Sequence, residues 1–266
     1  MKNLLVIFVI ALVFTNCSKN LVTGRKQLKL VSETELQTLA DTEYRTFLKN
    51  NAVVNSGDNR AEMVNRVGRR IANAIKKYYD NKGQTQILAG YNWEFNLVEK
   101  NEINAWCMPG GKVVVYTGIL PITQTEEGLA IVLGHEIAHA VAQHGSERMS
   151  QGLIQQLGGT ALQIALAGKP SQTQNLFLMA YGVGSNVVGV LPYSRNAENE
   201  ADKFGLYYAA LAAYNPEVAI PFWERMAAAG GAKQPEFLST HPNDATRIKN
   251  LKSNMPQAIK YYKSAK

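Results

Sequence analysis

Two histidines that lie one helical turn apart are the part of this sequence best suited to chemistry. They are His135 and His139, and Glu136 directly follows the first of them. On an α-helix, residues i and i+4 share a face, so both imidazoles could offer a nitrogen to one metal ion. Glu136 lies about 100° further around the helix, where its carboxylate could act as a base toward a water molecule. Two ligands and a base in this arrangement are typical of zinc hydrolases.

The residues around this motif favour a metal site over two ordinary helical histidines. The preceding run, residues 128–134, contains only apolar and small residues, which indicates a helix buried in a core. Thr123 or Thr125, followed by Glu126 and Glu127, predicts the start of that helix. A histidine pair inside a core needs a polar partner, and a metal ion is the simplest one.

An acidic segment further along the chain could complete the site, because a catalytic zinc ion normally takes three protein ligands. Glu198 and Asp202 are four residues apart and therefore share a helical face. One of these carboxylates could bind the metal while the other orients a ligating histidine through its second ring nitrogen. Glu200 is the alternative ligand if the helix has a different register. A solvated acidic helix start would have a similar composition.

The elements that must position these residues are mostly helical. A capping box at Ser32 and Glu35 opens a helix predicted to reach residue 48, and a second amphipathic helix covers 61–79. Alternating and β-branched residues predict strands at 93–98, 104–108 and 112–118. The sequence from Glu126 onward has a helical pattern. We therefore predict an α+β, mainly α-helical fold with a small antiparallel sheet packed beside the histidine helix.

Two apolar stretches, 151–167 and 174–191, have some character of membrane spans. Gln, Gly and Thr interrupt the first, and Tyr181, Ser185 and Asn186 interrupt the second. A spanning helix needs about 20 predominantly apolar residues. We interpret both stretches as core or interface helices.

The N-terminus resembles a bacterial lipoprotein signal. Lys2 precedes an apolar run of eleven residues, 4–14, which is short for a transmembrane helix, and Cys17 follows it. We predict a signal peptide at 1–16, lipidation of Cys17 and a lipid-anchored tether at 17–31; a plain secretory signal is the alternative. Ser18 after the cysteine is typical of outer-membrane sorting. The expected location is the bacterial cell envelope, as a periplasm-facing lipoprotein of the outer membrane.

Cysteine content and charge restrict the fold and its partners. The chain has two cysteines, so lipid on Cys17 would leave Cys107 without an intramolecular disulfide partner, as a packing residue or a reactive thiol. The formal charge is +7, and residues 249–266 carry five lysines, which predicts a basic tail at 257–266. No motif or aromatic interleaving accompanies this charge. We expect no nucleic-acid partner, and instead attraction to an anionic membrane surface.

Further motifs extend the pattern over most of the chain. They are Thr23-Gly24-Arg25 with Gln27, Asn104-Ala105, Pro109-Gly110-Gly111, Tyr116-Thr117-Gly118, Tyr193-Ser194-Arg195, Glu198-x-x-Ala201-Asp202, Thr240-His241-Pro242 and Arg247-Ile248. Together with His135-Glu136-x-x-His139, they resemble metallopeptidase family 48, which includes the CAAX-prenyl protease, the HtpX heat-shock protease and the mitochondrial Oma protease. The resemblance spans residues 21–252 and is strongest to lipoprotein and periplasmic members.

This resemblance implies a zincin-like metalloprotease domain at 32–256 that holds one zinc ion per chain. The site residues that it implies are the zinc ligands His135, His139 and Glu198, the catalytic base Glu136, and Asp202, which would orient a ligating histidine. The stretch Asn104, Ala105 and Trp106 would be an edge strand that binds an extended substrate. His241 would be a regulatory fourth ligand or a transition-state donor; an ordinary helix-entry histidine is the alternative.

The expected function is zinc-dependent endoproteolysis by a membrane-anchored enzyme in cell-envelope protein quality control. Its partners would be unfolded or misfolded envelope proteins as substrates, and the membrane through lipid on Cys17. A chaperone or assembly factor with a latent or structural zinc site is the alternative. A non-catalytic lipoprotein scaffold would bind no metal. The intact glutamate base and the three-ligand set favour the enzyme.

Overall fold

Helices make up most of the protein in the computed structural model, which describes residues 17–157, 170–181, 183, 193–229, 236–241 and 246–266. The helices are α1 (Glu33–Lys49), α2 (Asn59–Asn81), α3 (Leu120–Thr123), α4 (Glu126–Val141), α5 (His144–Leu157), α6 (Pro170–Ala180), α7 (Arg195–Leu211), α8 (Ala219–Ala228), α9 (Glu236–Thr240) and α10 (Arg247–Ala265). The strands are β1 (Cys17–Lys19), β2 (Lys26–Leu28), β3 (Glu94–Val98), β4 (Ala105–Met108) and β5 (Lys112–Tyr116). The predicted mainly α-helical α+β class is confirmed.

β3, β5 and β4 form a small sheet in that order, beside the histidine helix α4. β4 and β5 pair antiparallel across a turn in which Gly110 and Gly111 have φ of 74° and 83°. β3 pairs parallel with β5, so the predicted antiparallel arrangement holds for one of the two pairings. After β3, the chain between Val98 and Ala105 leaves the place beside β3 vacant, and β4 does not pair with β3. β5 then fills this place and lies between β3 and β4. As a result, β4 is an edge strand.

The sheet separates two apolar cores. On one face, Phe95, Ala105 and Val113 pack with residues of α2, α4 and α7. On the other face, Trp106 and Val114 pack with residues of α1, α5 and α6. Successive side chains of a strand point to opposite faces, which produces this division. β4 therefore lies between the histidine helix and α1.

Helix α4, which carries the histidine pair, is buried from Gly128 to Val141. Thr125 caps its N-terminus by accepting a hydrogen bond from the Gly128 N–H, as the sequence predicts. Gly134 lies directly against α7, where a Cβ added to it would lie 2.5 Å from the Gly205 carbonyl oxygen. The backbones of α4 and α7 thus touch. This contact brings together the faces of both helices that carry polar residues.

A two-stranded hairpin, β1 and β2, occupies the segment predicted to be a tether. Asn20 and Gln27 are buried in it, and both side-chain amides donate hydrogen bonds of 2.9 Å to the Ala142 carbonyl at the end of α4. The hairpin thereby satisfies a carbonyl that a helix end would otherwise leave unpaired. Residues 17–31 are therefore packed on the domain and do not form a free linker.

The C-terminal residues extend a helix and do not form a separate tail. α10 continues past Pro256 to Ala265, and its buried side includes Leu251, Met255 and Ala258 at helical spacing. Across the part of the chain that the structure describes, no helix has the length and apolar character that a membrane span requires. The predicted signal peptide and parts of the 151–167 and 174–191 stretches lie outside the described residues.

Candidate metal centre

Four buried side chains meet between α4, α7 and the residue that follows α9. They are His135 and His139 of α4, Glu198 in the first turn of α7, and His241. One possible ligand atom from each lies within 4.8 Å of all the others. None of the four residues is more than 3% exposed. The structure thus places the three predicted ligands together and adds His241, which is 106 residues after His135.

The donor atoms lie at, or a few tenths of an ångström inside, the spacing of a tetrahedral zinc site. Nitrogen and oxygen ligands lie about 2.0–2.2 Å from zinc, so donors at tetrahedral corners are about 3.3–3.6 Å apart. Nε2 of His135 is 3.1 Å from Nε2 of His139 and 3.3 Å from Nδ1 of His241. Oε1 of Glu198 is 3.3 Å from Nε2 of His139 and 3.0 Å from Nδ1 of His241. Three imidazole nitrogens and one carboxylate oxygen at these distances are suited to zinc.

Burial sets the protonation states that metal binding requires. It lowers the pKa of His241 to about 4 and the pKa of His139 well below its usual value, so both rings keep a lone pair. Burial opposes ionisation of Glu198, but its interactions with His241 and His139 outweigh burial and hold the pKa of Glu198 well below its usual range. Neutral imidazoles and an ionised carboxylate are the states that bind a divalent cation.

Asp202 and Arg247 contact the ligand residues and hold them in place without belonging to the donor cluster. Oδ1 of Asp202 is 3.0 Å from Nδ1 of His135, although the two groups are not aligned for a hydrogen bond. This is the placement expected for the carboxylate that orients a ligating histidine. Arg247 is 1% exposed, and its guanidinium bonds Asp202 at 2.7 Å and Glu198 at 2.5 Å. It also lies 3.9 Å from the ring centroid of Trp223. Arg247 therefore fixes two of the three carboxylates of α7, those of Glu198 and Asp202.

Glu136 lies beside this cluster without joining it. Its Oε1 is 3.6 Å from Nε2 of His241 and has no hydrogen-bond partner among the described residues, although the side chain is buried. Burial raises the pKa of the Glu136 carboxyl well above its usual value, and the nearby Glu198 carboxylate raises it further. A buried carboxyl with an unused oxygen and a raised pKa is suited to accept a proton and return it.

Strand β4 lines a narrow cleft at the metal centre. The cleft is lined by Asn104, Ala105, Trp106, Glu136 and His241, among others. β4 pairs only with β5, so its second backbone edge has no strand partner among the described residues. The Trp106 ring packs against Phe47 at 5.0 Å between centroids, so this residue offers the cleft mainly its backbone. The cleft is closed in this structure, because its interior has no space for a water-sized molecule.

The remaining candidates from the sequence take other roles. Glu200, the alternative ligand, contacts Nε2 of His144 at 2.9 Å and Arg25 at 2.9 Å. Cys107 is buried, and burial raises the pKa of its thiol well above the usual value, which favours a packing residue over a reactive thiol.

Sequence reasoning gave no role to His144 or Arg247. His144 follows the end of α4, and Gln143 before it has a φ of 56°, so helical spacing from His139 does not apply. Arg247 occurs in a family motif, but a buried arginine has no local sequence signal. Its partners lie 45 and 49 residues earlier in the chain.

Comparison with known proteins agrees with this geometry. The model of peptidase family M48 matches residues 60–255. The chain is 34% identical over 257 residues to the protein named metalloendopeptidase OMA1, mitochondrial, of Bos taurus, covering 93% of this chain and 47% of that protein.

Other relatives come from yeast and bacteria. The mitochondrial metalloendopeptidase OMA1 of Saccharomyces cerevisiae is 35% identical over 196 residues, covering 71% of this chain and 54% of the relative. The beta-barrel assembly-enhancing protease of Yersinia pestis is 28% identical over 172 residues, covering 62% of this chain and 35% of the relative. The chain thus spans about half the length, or less, of these relatives.

Proposed function

The chain belongs to peptidase family M48, as its motifs predict, and we propose that it is a membrane-anchored zinc endopeptidase that cleaves unfolded or misfolded proteins of a bacterial cell envelope. The observation that carries the proposal is Oε1 of Glu136, which has no hydrogen-bond partner among the described residues and lies beside both the buried donor set and β4. A purely structural metal site needs no such base. Relatives named as mitochondrial belong to the same family, so membership of the family does not decide the location. The proposal of a bacterial cell envelope therefore rests on the N-terminal sequence.

The residues divide the chemistry between them. His135, His139 and Glu198 would hold the zinc ion, which, when bound, polarises the scissile carbonyl and acidifies the attacking water. Glu136 accepts the proton of that water as the carbonyl is attacked, and then delivers it to the leaving amine. Asp202 and Arg247 keep His135 and Glu198 in place during the reaction. Bulk solvent has little access to the site, because every one of these side chains is buried.

The free edge of β4 would bind the substrate as an added strand. Its backbone N–H and C=O groups could pair with an extended peptide, and an unfolded chain can adopt that conformation at any sequence. Ala105 at this edge is small, so the peptide backbone can approach Glu136 closely. Recognition through the backbone supports a preference for unfolded substrates over one particular sequence.

His241 would close the site between rounds of catalysis. Its Nδ1 occupies the fourth donor position, whereas a catalytic zinc site keeps one position open for water or substrate. His241 follows a helix of only five residues, and its ring stacks on Phe237 of that helix at 4.6 Å, so a shift of this short helix would carry the ring with it. Displacement of His241 would open the position next to Glu136.

We expect His241→Ala to raise the cleavage of casein severalfold while zinc content stays near one ion per chain. Three ligands suffice to hold a catalytic zinc ion, and removal of the fourth frees a coordination position. Initial cleavage rates and metal content would be measured for the wild type, His241→Ala and Glu136→Gln, the last as the inactive control. A lower rate with zinc retained would instead make His241 a transition-state donor. Zinc without cleavage in any variant would contradict the endopeptidase proposal.

Membrane attachment would come from lipid on Cys17, the first residue of β1. We expect Cys17→Ser to move the protein from the membrane fraction to the soluble fraction of a bacterial host, with zinc content unchanged. Ser18→Ala is the matched control, because it alters the neighbouring residue and leaves the thiol. Fractionation with the mass of the mature N-terminus would measure this. A Cys17→Ser protein that stays in the membrane fraction would contradict the anchor.

A chaperone or assembly factor is the second candidate, and the four-donor closure of the site favours it. Structural zinc sites are closed by four protein ligands. Such a protein would suppress aggregation of unfolded substrates, and this activity would survive Glu136→Gln. The endopeptidase requires Glu136, so the same variant separates the two functions.

A further inference from the structure

We propose that His144, Glu200 and Arg25 form a positioning relay that orients the ligand His139 and makes the N-terminal hairpin a part of the metal centre. This proposal rests on the zinc site described above, but its test reads metal affinity and not cleavage. None of the three residues touches the donor cluster except through His139.

The ring-nitrogen contacts fix one tautomer of His139. Nε2 of His144 is 2.9 Å from Oε2 of Glu200, and an ionised carboxylate can only accept a hydrogen bond. Nε2 of His144 therefore carries a hydrogen and donates it to Glu200. Nδ1 of His144 lies 3.0 Å from Nδ1 of His139, and His139 carries its hydrogen on Nδ1 when its Nε2 binds the metal, so His139 donates to His144. Its Nε2 then has a free lone pair, and this is the atom that faces the other donors.

Each of the two ligating histidines of α4 thus has a carboxylate on the side of its Nδ1, either in direct contact or through His144. His135 has the Asp202 carboxylate 3.0 Å from its Nδ1. His139 has the Glu200 carboxylate one residue further away, with His144 inserted between them. Partners of this kind fix the orientation of a metal-binding imidazole and raise its basicity. His144 is 1% exposed, so water does not compete for these contacts.

Arg25 anchors the outer end of the relay. Its Nε and Nη2 contact the two carboxylate oxygens of Glu200 at 2.9 and 3.2 Å. Its Nη1 and Nη2 contact the two oxygens of Glu147 at 2.7 and 2.6 Å. Paired contacts of this kind fix direction as well as distance. Arg25 therefore holds Glu200 on the side of His144 and keeps two nearby carboxylates from repelling each other.

The position of Arg25 depends on the docked hairpin. Gly24, with a φ of 74°, turns the chain directly before it. Asn20 and Gln27, on either side, are clamped to the Ala142 carbonyl, two residues before His144. The segment that leads from Cys17 is thus connected to a zinc ligand by three consecutive polar contacts, Arg25 to Glu200, Glu200 to His144 and His144 to His139. Undocking of the hairpin would remove Arg25 and loosen the relay.

We expect His144→Leu to weaken zinc binding about 10- to 100-fold, the range found when such outer partners are removed. His144→Asn should restore most of this loss, because its side-chain oxygen can accept the His139 hydrogen bond where Nδ1 of His144 does. Zinc affinity would be measured by competition with a chromophoric chelator, with circular dichroism to establish that each variant is folded. If His144 had only a structural role, both variants would have a lower unfolding midpoint, and their zinc affinities would not differ from each other. Unchanged affinity in folded His144→Leu would overturn the relay.

Arg25→Met tests the connection to the hairpin, with Arg45→Met as its matched control. Arg45 also pairs with two carboxylates, Glu94 and Asp41, but on the surface near β3. We expect Arg25→Met to weaken zinc binding by a smaller factor than His144→Leu, and Arg45→Met to leave it unchanged. Equal affinities for the two arginine variants would exclude the hairpin from the metal centre. Failure of the wild type to cleave any substrate would leave these affinities unaffected, so the two proposals fail separately.

Discussion

Glu136→Gln is expected to lower the rate of peptide cleavage about 10²- to 10⁴-fold, the contribution typical of a positioned general base. Glutamine has the same shape but cannot accept the proton of the attacking water. Zinc should remain bound, because Glu136 is outside the four-residue donor cluster. The fold should also be retained: burial and the Glu198 carboxylate both raise the pKa of Glu136, so a neutral side chain is at least as stable there. Casein cleavage and zinc content of the same preparations would measure both effects.

Glu62→Gln is a suitable control for this variant, because Glu62 belongs to the first turn of α2, far along the chain from the donor cluster. It should cleave at the wild-type rate. Cleavage by Glu136→Gln at a rate within a few-fold of wild type would rule out Glu136 as the base and would shift the function toward the chaperone.

Arg247→Met is expected to lower the free energy of unfolding of the metal-free protein by about 3–5 kcal/mol, the cost of removing one partner from a buried ion pair. Methionine would leave the Glu198 and Asp202 carboxylates buried, each without its arginine contact. The stacking of the guanidinium on Trp223 would also be lost. Urea denaturation of the zinc-free protein measures the change.

Lys260→Met on the same helix is the matched control, because Lys260 is exposed and a surface change of this kind is worth at most about 0.5 kcal/mol. Zinc should reduce the loss in Arg247→Met, since the ion would neutralise Glu198. A loss below about 1 kcal/mol for Arg247→Met would show that the carboxylates do not depend on it.

The local part of the site could be predicted from the sequence, and the long-range part could not. His135 and His139 follow from helical geometry alone, and the capped start of α4 at Thr125 follows from its residue types. The spacing of Glu198 and Asp202 predicted a shared face but not which carboxylate binds the metal. The family resemblance decided that choice, and the geometry agrees with it: Oε1 of Glu198 lies against the donor nitrogens of His139 and His241, whereas Oδ1 of Asp202 lies at Nδ1 of His135.

Other features depend on how distant parts of the chain pack together, which no local sequence pattern indicates. His241 joins the cluster through tertiary packing of a five-residue helix. The strands β3, β4 and β5 were predicted from alternation, but their order depends on how the chain crosses between Val98 and Ala105. Residues 17–31 have the polar composition of a linker. Their docking depends on two amides and one arginine that find partners more than 100 residues away.

The donor set also makes zinc a ligand of the folded state alone. An unfolded chain offers only the His135–His139 pair, since Glu198 and His241 become neighbours of that pair through packing across as many as 106 residues. Free zinc at 1,000 times its dissociation constant would therefore stabilise the native protein by about 4 kcal/mol through mass action. This is a large share of the stability of a typical domain. The lifetime of the protein in a proteolytic compartment would then follow the local zinc supply.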